Sequence, residues 1–188
     1  MPISSFGNRR NALVGSILIA ILITSLAMVP AGCKRRPRVA ARTVEEAPLL
    51  ASVIATADPH VAKQLASGFY GVEQNSWRWT GGRFSVLLRP PRTAATRGAV
   101  LQFKFSIPGP SMAKLKSVSL SAYVNGTPLA PETYTQAGEF IYSRDVHANL
   151  LAGDVARIDF TLDKAIPPGA ADLRELGVVA ALVGFQPK

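Results

Sequence analysis

From Ala99 to Ile107 the chain alternates apolar and polar positions. Leu101, Phe103, Phe105 and Ile107 fall on one side, and Gln102, Lys104 and Ser106 on the other. A period of two over that length marks a half-buried strand, because successive side chains of an extended chain point to opposite faces. Ser117 to Val124 repeats the pattern, with Val118, Leu120, Ala122 and Val124 inward. Asn125-Gly126 behind it is a hairpin turn signal, since both residues tolerate positive φ. Glu139–Ser143 and Val155–Leu162 read as further strands, the second with Ile158, Phe160 and Leu162 facing in. Leu176 to Phe185 is apolar on both faces, as expected of a central strand covered on both sides.

Upstream, Asp58-Pro59 is a helix start, an N-cap acid followed by proline at the first helical position. A short helix over about 60–67 is expected, stopped by Gly68. Phe69–Glu73 then reads as a strand leading into Glu73–Phe84, which holds both tryptophans of the chain. Trp77 and Trp79 share one strand face, while Arg78 and Thr80 take the other. Gly81-Gly82 predicts a turn, with Phe84–Arg89 returning as the second strand of a hairpin. Pro90 to Gly98 reads as a loop, Pro108-Gly-Pro110 ends the strand before it, and the segment around 112–116 crosses over. The sum is an all-β domain over residues 58–188, an antiparallel β-sandwich of seven or eight strands with one short N-terminal helix. No internal repeat is visible, and no segment is long enough for an α/β helical layer.

Charge changes the picture only at the N-terminus. The 188 residues carry a formal charge of +9. Residues 1–44 hold seven cations and no acid, whereas residues 45–188 hold 14 Lys/Arg against 12 Asp/Glu. The basicity belongs to the leader, and with no nucleic-acid-binding motif present no nucleic-acid partner is expected. Arg9-Arg10 precede an uncharged apolar run, Asn11 to Gly32, followed by Cys33. A basic start, an apolar stretch and small residues before a cut site form an export signal. Ala31-Gly32-Cys33 resembles the end of a bacterial lipobox, which makes Cys33 the candidate lipidation site. Pro30 stands where that motif usually has leucine. The alternative for residues 1–33 is an uncleaved signal anchor, since the run is long enough to span a bilayer. Lys34-Arg-Arg-Pro-Arg38 after the run works against export under the positive-inside rule. Residues 34–57 read as a flexible basic tether. The expected location is the cell envelope, membrane-anchored, with the domain outside the cytoplasm.

Little in the chain marks chemistry. A single cysteine excludes an intrachain disulfide and a Cys-rich zinc site. His60 and His147 stand apart from other ligand residues, and Asp154, Asp159 and Asp163 lack the spacing of a calcium loop. No nucleophile elbow or phosphate-cradling loop is present. No metal, cofactor or catalytic residue is therefore expected. The tryptophans carry two readings. Packed inside, they fill the sandwich core, the role paired tryptophans usually take; exposed, they stack on sugar rings. In the packed reading Arg78 pairs with Glu73 or Glu175. Asp172-Leu-Arg-Glu-Leu-Gly177 is expected to be a turn that satisfies a buried ion pair before the last strand.

Gly68-Phe-Tyr-Gly-Val-Glu73, Trp77-Arg-Trp-Thr80, Val124-Asn-Gly126 and Asp172-Leu-Arg-Glu-Leu-Gly177, in this order, resemble a bacterial β-sandwich family. That family occurs in uncharacterised lipoproteins and as an accessory domain beside glycosyltransferases and other envelope polysaccharide proteins. The resemblance covers about residues 60–188 and implies a jelly-roll, galactose-binding-like fold. It carries no settled activity. The expected function is a noncatalytic, membrane-tethered envelope protein that binds polysaccharide or an envelope protein, with Tyr70, Glu73, Trp77, Arg78, Trp79, Arg174 and Glu175 as candidate ligand residues. The alternatives are a purely structural envelope lipoprotein without a ligand site, and a hydrolase or transferase whose site leaves no sequence mark.

Overall fold

The alternating segments form strands where their periodicity puts them. A computed structural model of the chain describes residues 50–188; the apolar leader, Cys33 and most of the expected tether lie outside the described residues. Ten strands follow in order: β1 (Val53–Ala55), β2 (Leu65–Glu73), β3 (Trp77–Leu88), β4 (Ala99–Ile107), β5 (Val118–Val124), β6 (Thr127–Pro128), β7 (Glu132–Tyr134), β8 (Gly138–Val146), β9 (Ala156–Leu162) and β10 (Val179–Pro187). Every pairing between them is antiparallel.

The sheet path runs β6-β5-β9-β3-β10-β4-β8, and it folds into two layers because β3 changes partner midway. Arg78 and Trp79 pair with β10, whereas Arg83–Leu88 pair with β9. The first half of β3 thus joins β10, β4 and β8, and the second half joins β9, β5 and the short β6 and β7. Rings from the two layers meet in the middle: Phe103 of β4 lies 5.5 Å from Phe84 of β3 and 4.9 Å from Phe160 of β9. Phe84, Phe103 and Phe160 are buried, as are all the inward positions of β4, β5 and β9 that the alternation predicts. This is the antiparallel β-sandwich expected from the sequence.

The far edges of the two layers also meet. Tyr134 of β7 packs 5.2 Å from Phe105 and 4.6 Å from Phe140 of β8. The Tyr142 hydroxyl donates to the Ala130 carbonyl at 2.8 Å, and Arg144 donates to the carbonyls of Ala130 and Pro131 while pairing with Glu132 at 2.9 Å. Burial pushes the Tyr142 phenol up to about 12.

Four local expectations are corrected. The helix after Asp58 is a 3-10 turn, Pro59–Gln64, shorter than the expected 60–67 because β2 already begins at Leu65. Its Asp58 cap is present, accepting from the His60 amide at 2.8 Å. Two segments read as irregular hold short helices, α1 (Ala94–Arg97) and α2 (Gly109–Leu115). The sandwich also starts before residue 58: Val53–Ala55, expected in the tether, pairs with β10 and buries Ile54. Three residues are too few to show a period, so the strand left no signal.

The fourth correction concerns Gly81-Gly82, which makes no turn. β3 runs straight through both glycines for 12 residues. The turn lies one step earlier, between β2 and β3, where Gln74 and Asn75 take φ of 50° and 53° and Glu73 pairs with Trp77. The glycines serve closeness instead. At this point β3 leaves β10 for β9, and the chain before β10 passes against it: the Gly177 amide donates to the Thr80 carbonyl at 2.7 Å. A Cβ on Gly177 would collide with the Gly81 carbonyl and lie 2.7 Å from Thr80 Oγ1. By contrast Asn125-Gly126, with φ of 49° and 83°, is the tight hairpin turn its sequence predicts.

Candidate functional site

Antiparallel register decides what stands beside the tryptophans. Trp79 is opposite Val179 of β10, Val179 opposite Ser106 of β4, and Ser106 opposite Glu139 of β8. All lie on the face of this layer away from Phe105, so they point out of the sandwich. Of the two readings of the tryptophans, the outward one holds and the core one does not. Both are half-buried, and their rings meet edge to face with centroids 6.2 Å apart. The reason is the period of two: Arg78 and Thr80 share parity with core residues Phe84, Val86 and Leu88, which leaves the indoles outside.

Beside Trp77 the outer face sinks into a groove of about 560 Å³. Trp77 and Ser76 form one wall and Ile141 and Glu139 the other, with Lys104, Ser106, Val179 and Ala181 between them. A β-bulge shapes the floor, since the β10–β4 register slips between Ala180 and Leu182. Ala181 there offers only a methyl group, which keeps the groove open. Ile141 is 53% exposed, so its apolar side chain is an open part of the groove wall. Size and mixed lining suit a small organic ligand.

The other expected site residues gather at the corner where β3 changes layer. Arg174 pairs with Glu73 at 2.8 Å and with Asp172 at 2.8 Å, and its guanidinium lies 5.2 Å from the Tyr70 ring centre. Asp172 also accepts from the Arg174 amide at 2.9 Å. Those bonds from Arg174 lower the Asp172 carboxyl to about 2. Hydrogen bonds that it donates to Asp172, then to Glu73, hold the guanidinium charged. Glu175 accepts from the Gly82 amide at 2.8 Å, its carboxylate resting on the two side-chain-free positions of β3.

Two expectations about this corner change. Arg78 pairs with neither Glu73 nor Glu175: it donates to the Thr56 carbonyl at 2.6 Å and the Tyr70 carbonyl at 2.8 Å. Those carbonyls sit where β1 and β2 lose their ladder partners, and a guanidinium satisfies both. The Asp172–Arg174 pair exists but is not buried, with side chains 30% and 33% exposed. Tyr70, Glu73, Arg174 and Glu175 therefore come together, Arg78 braces them from the backbone, and Trp77 lines the groove with Trp79 against it on the same outer face. The corner's charged groups are spent on one another and on main-chain amides, which leaves few free to hold a ligand.

A smaller hollow of about 270 Å³ adjoins Glu175 and is lined by Arg83, Asp163 and Lys164. Asp163 there accepts from the Ser119 amide at 2.6 Å, and Lys164 donates to Ser117 Oγ at 2.8 Å. Those bonds knit β5 to the loop after β9. Among the described residues, no three His, Cys, Asp or Glu side chains converge as a metal site, and no helix is long and apolar enough to cross a membrane.

Sequence reasoning missed Lys104, Ser106, Glu139, Ile141, Val179 and Ala181. Lys104 and Ser106 were legible as outward positions, but which strands flank them was not. Fold and groove together define an antiparallel β-sandwich with an aromatic-edged cleft on the outside of one layer. No protein-family model and no curated protein matches the sequence. Among solved structures the chain is similar to that of CBM51-2 in complex with GlcNAc and INT domains from Clostridium perfringens ZmpB, at 16% identity and a TM-score of 0.33. The match covers 72% of this chain and 28% of that one. The sandwich assignment rests on the strand pairing and interlayer ring contacts described above.

Proposed function

We propose that this is a noncatalytic protein of a bacterial cell envelope, tethered to a membrane through residues 11–33, whose sandwich binds glycan in the groove beside Trp77. The observation that carries the reading is a half-buried indole at the wall of a groove of about 560 Å³ on an outer sheet face. An indole in that setting offers its apolar surface to the C–H face of a sugar ring, while Ser106, Lys104 and Glu139 supply donors and acceptors for hydroxyls. The acids gathered at the corner, Glu73, Asp172 and Glu175, are engaged by Arg174 and the Gly82 amide. The basic start, apolar run and Cys33 support the tether.

Titration of tryptophan fluorescence with a panel of oligosaccharides tests the site. At least one sugar should perturb the emission, and Trp77→Ala should weaken its binding at least tenfold with the unfolding midpoint nearly unchanged. Silence across the panel would remove the glycan reading. Intact-mass measurement of the protein extracted from membranes tests the tether, because acylation at Cys33 adds a diacylglyceryl mass and leaves Cys33 as the N-terminus.

A second reading, docking of an envelope protein, is favoured by Leu173. This side chain is 86% exposed between Asp172 and Arg174, which pair with each other at 2.8 Å. Leu173→Asp should abolish co-purification of such a partner and leave sugar binding intact.

A further inference from the structure

The groove is dipolar, which bears on the class of glycan it takes. Lys104 is its one cation and Glu139 its one acid. Among the described residues five ion pairs form, and neither Lys104 nor Glu139 joins any of them. Lys104 stands opposite Ile141 and Ser106 opposite Glu139, so the two charges sit diagonally across the β4–β8 ladder. Diagonal positions lie about 7 Å apart. Both side chains are exposed at the groove and keep their charges free for a ligand.

Placement across the strands sets the order of contacts. Trp77 is on β3 and Lys104 on β4, with β10 between them. Two strand spacings are about 10 Å, the reach of a short oligosaccharide laid across the strands. A ring stacked on Trp77 sends the next sugar over Ala181 to Lys104, with the Ile141 side chain beyond it. A single ammonium suits a singly charged group. Phosphate and sulfate are held better by guanidinium forks or converging main-chain amides, and the groove lining includes no arginine. Glu139 meanwhile repels a second negative charge placed one step along the same ladder.

Building on the glycan reading above, we propose that the groove selects glycans with spaced carboxylates: a neutral or N-acetylated sugar on Trp77 and an adjoining sugar acid on Lys104. A chain with a carboxylate on every residue is disfavoured by Glu139.

Three probes of similar length test this on the full chain: chitotetraose, which is neutral; a hyaluronan tetrasaccharide, with a carboxylate on every second sugar; and tetragalacturonate, with one on every sugar. Hyaluronan should bind about tenfold tighter than either of the others at low salt, and the margin should shrink at high salt. Lys104→Met should bring the hyaluronan-to-chitotetraose ratio close to one, while Lys114→Met, on α2 away from the groove, should leave that ratio as it was. Glu139→Gln should narrow the gap between tetragalacturonate and hyaluronan. Equal binding of chitotetraose and hyaluronan by the unaltered protein, or a ratio unmoved by Lys104→Met, overturns the carboxylate preference and leaves the glycan reading standing. If none of the three probes, nor any other sugar, binds, the glycan reading itself falls and this inference with it.

Discussion

The corner at Gly81-Gly82 and the groove at Trp77 lie on the same strand and are built in opposite ways. At the corner, two short runs far apart in the chain, residues 70–82 and 172–177, satisfy one another: Asp172 holds Arg174, Arg174 holds Glu73, Glu175 caps the Gly82 amide, and Gly177 makes room for the crossing. At the groove the residues come from four strands, and its two charged groups make no ion pair among the described residues. The corner is motif-rich and stabilises the fold, whereas the groove is motif-poor and presents chemistry to solvent. A recognisable run of charged and aromatic residues is thus a guide to architecture here, and the candidate site lies one strand turn away from it.

If that contrast is right, changes at the corner should cost stability and changes at the groove should cost binding. The largest stability effect is expected for Gly177→Ala. The Leu162 side chain can turn away from the new Cβ, but the Gly81 carbonyl is main chain and cannot. Overpacking of this kind costs roughly 3 kcal/mol, visible as a lower urea midpoint. A near-neutral result would mean that the crossing of β3 and the chain before β10 is looser than described.

The corner should also show itself in acid. The Asp172 carboxyl is lowered to about 2 in the folded chain, chiefly by the hydrogen bonds from Arg174, below the 3.8 of the free group. The unfolded chain therefore binds more protons in that window. The stabilisation is full above pH 4 and drains away as pH falls toward 2. Denaturation midpoints measured across that range should drop, and Arg174→Gln should flatten this portion of the profile. An unchanged slope in the variant would show that other carboxylates dominate. At the alkaline end the sign reverses. Burial raises the Tyr142 phenol to about 12 from 10.0, so the folded chain retains a proton the unfolded one releases. Stability should fall as pH rises from 10 toward 12, and Tyr142→Phe should remove that part of the loss.

Groove substitutions should mark the quiet end for stability. Trp77→Ala removes a half-exposed ring, so a loss within about 1 kcal/mol is expected beside the tenfold loss of sugar affinity. Ile141→Ser, at a position already 53% exposed, should move the midpoint by less than about 0.5 kcal/mol. A large destabilisation from either would make the groove wall part of the packing and erase the contrast.

Much of the fold was legible because it rests on local periodicity. The inward sets of β4, β5 and β9 were read residue by residue, and so was the Asn125-Gly126 turn, since a period of two and positive φ are properties of neighbouring residues. Gly81-Gly82 misled for the same reason: a glycine pair looks alike whether it permits a turn or a close approach. The difference lies with Gly177 and Glu175, more than 90 positions away. The tryptophans were harder still. Their shared face followed from spacing, but whether that face turned in or out depended on which parity of β3 the other layer covered.

Composition and spacing by themselves determined the class of domain, the strands, their inward faces and the segregation of basic charge to residues 1–44. Each of these is encoded within a few residues or in simple counts. Only the tertiary structure decided that β3 serves two layers, that Arg174 and not Arg78 takes Glu73, and that Trp77 shares a groove with Lys104 and Glu139. Those are facts of strand order, set by burial summed over the whole sandwich, and no short window of the chain carries that sum.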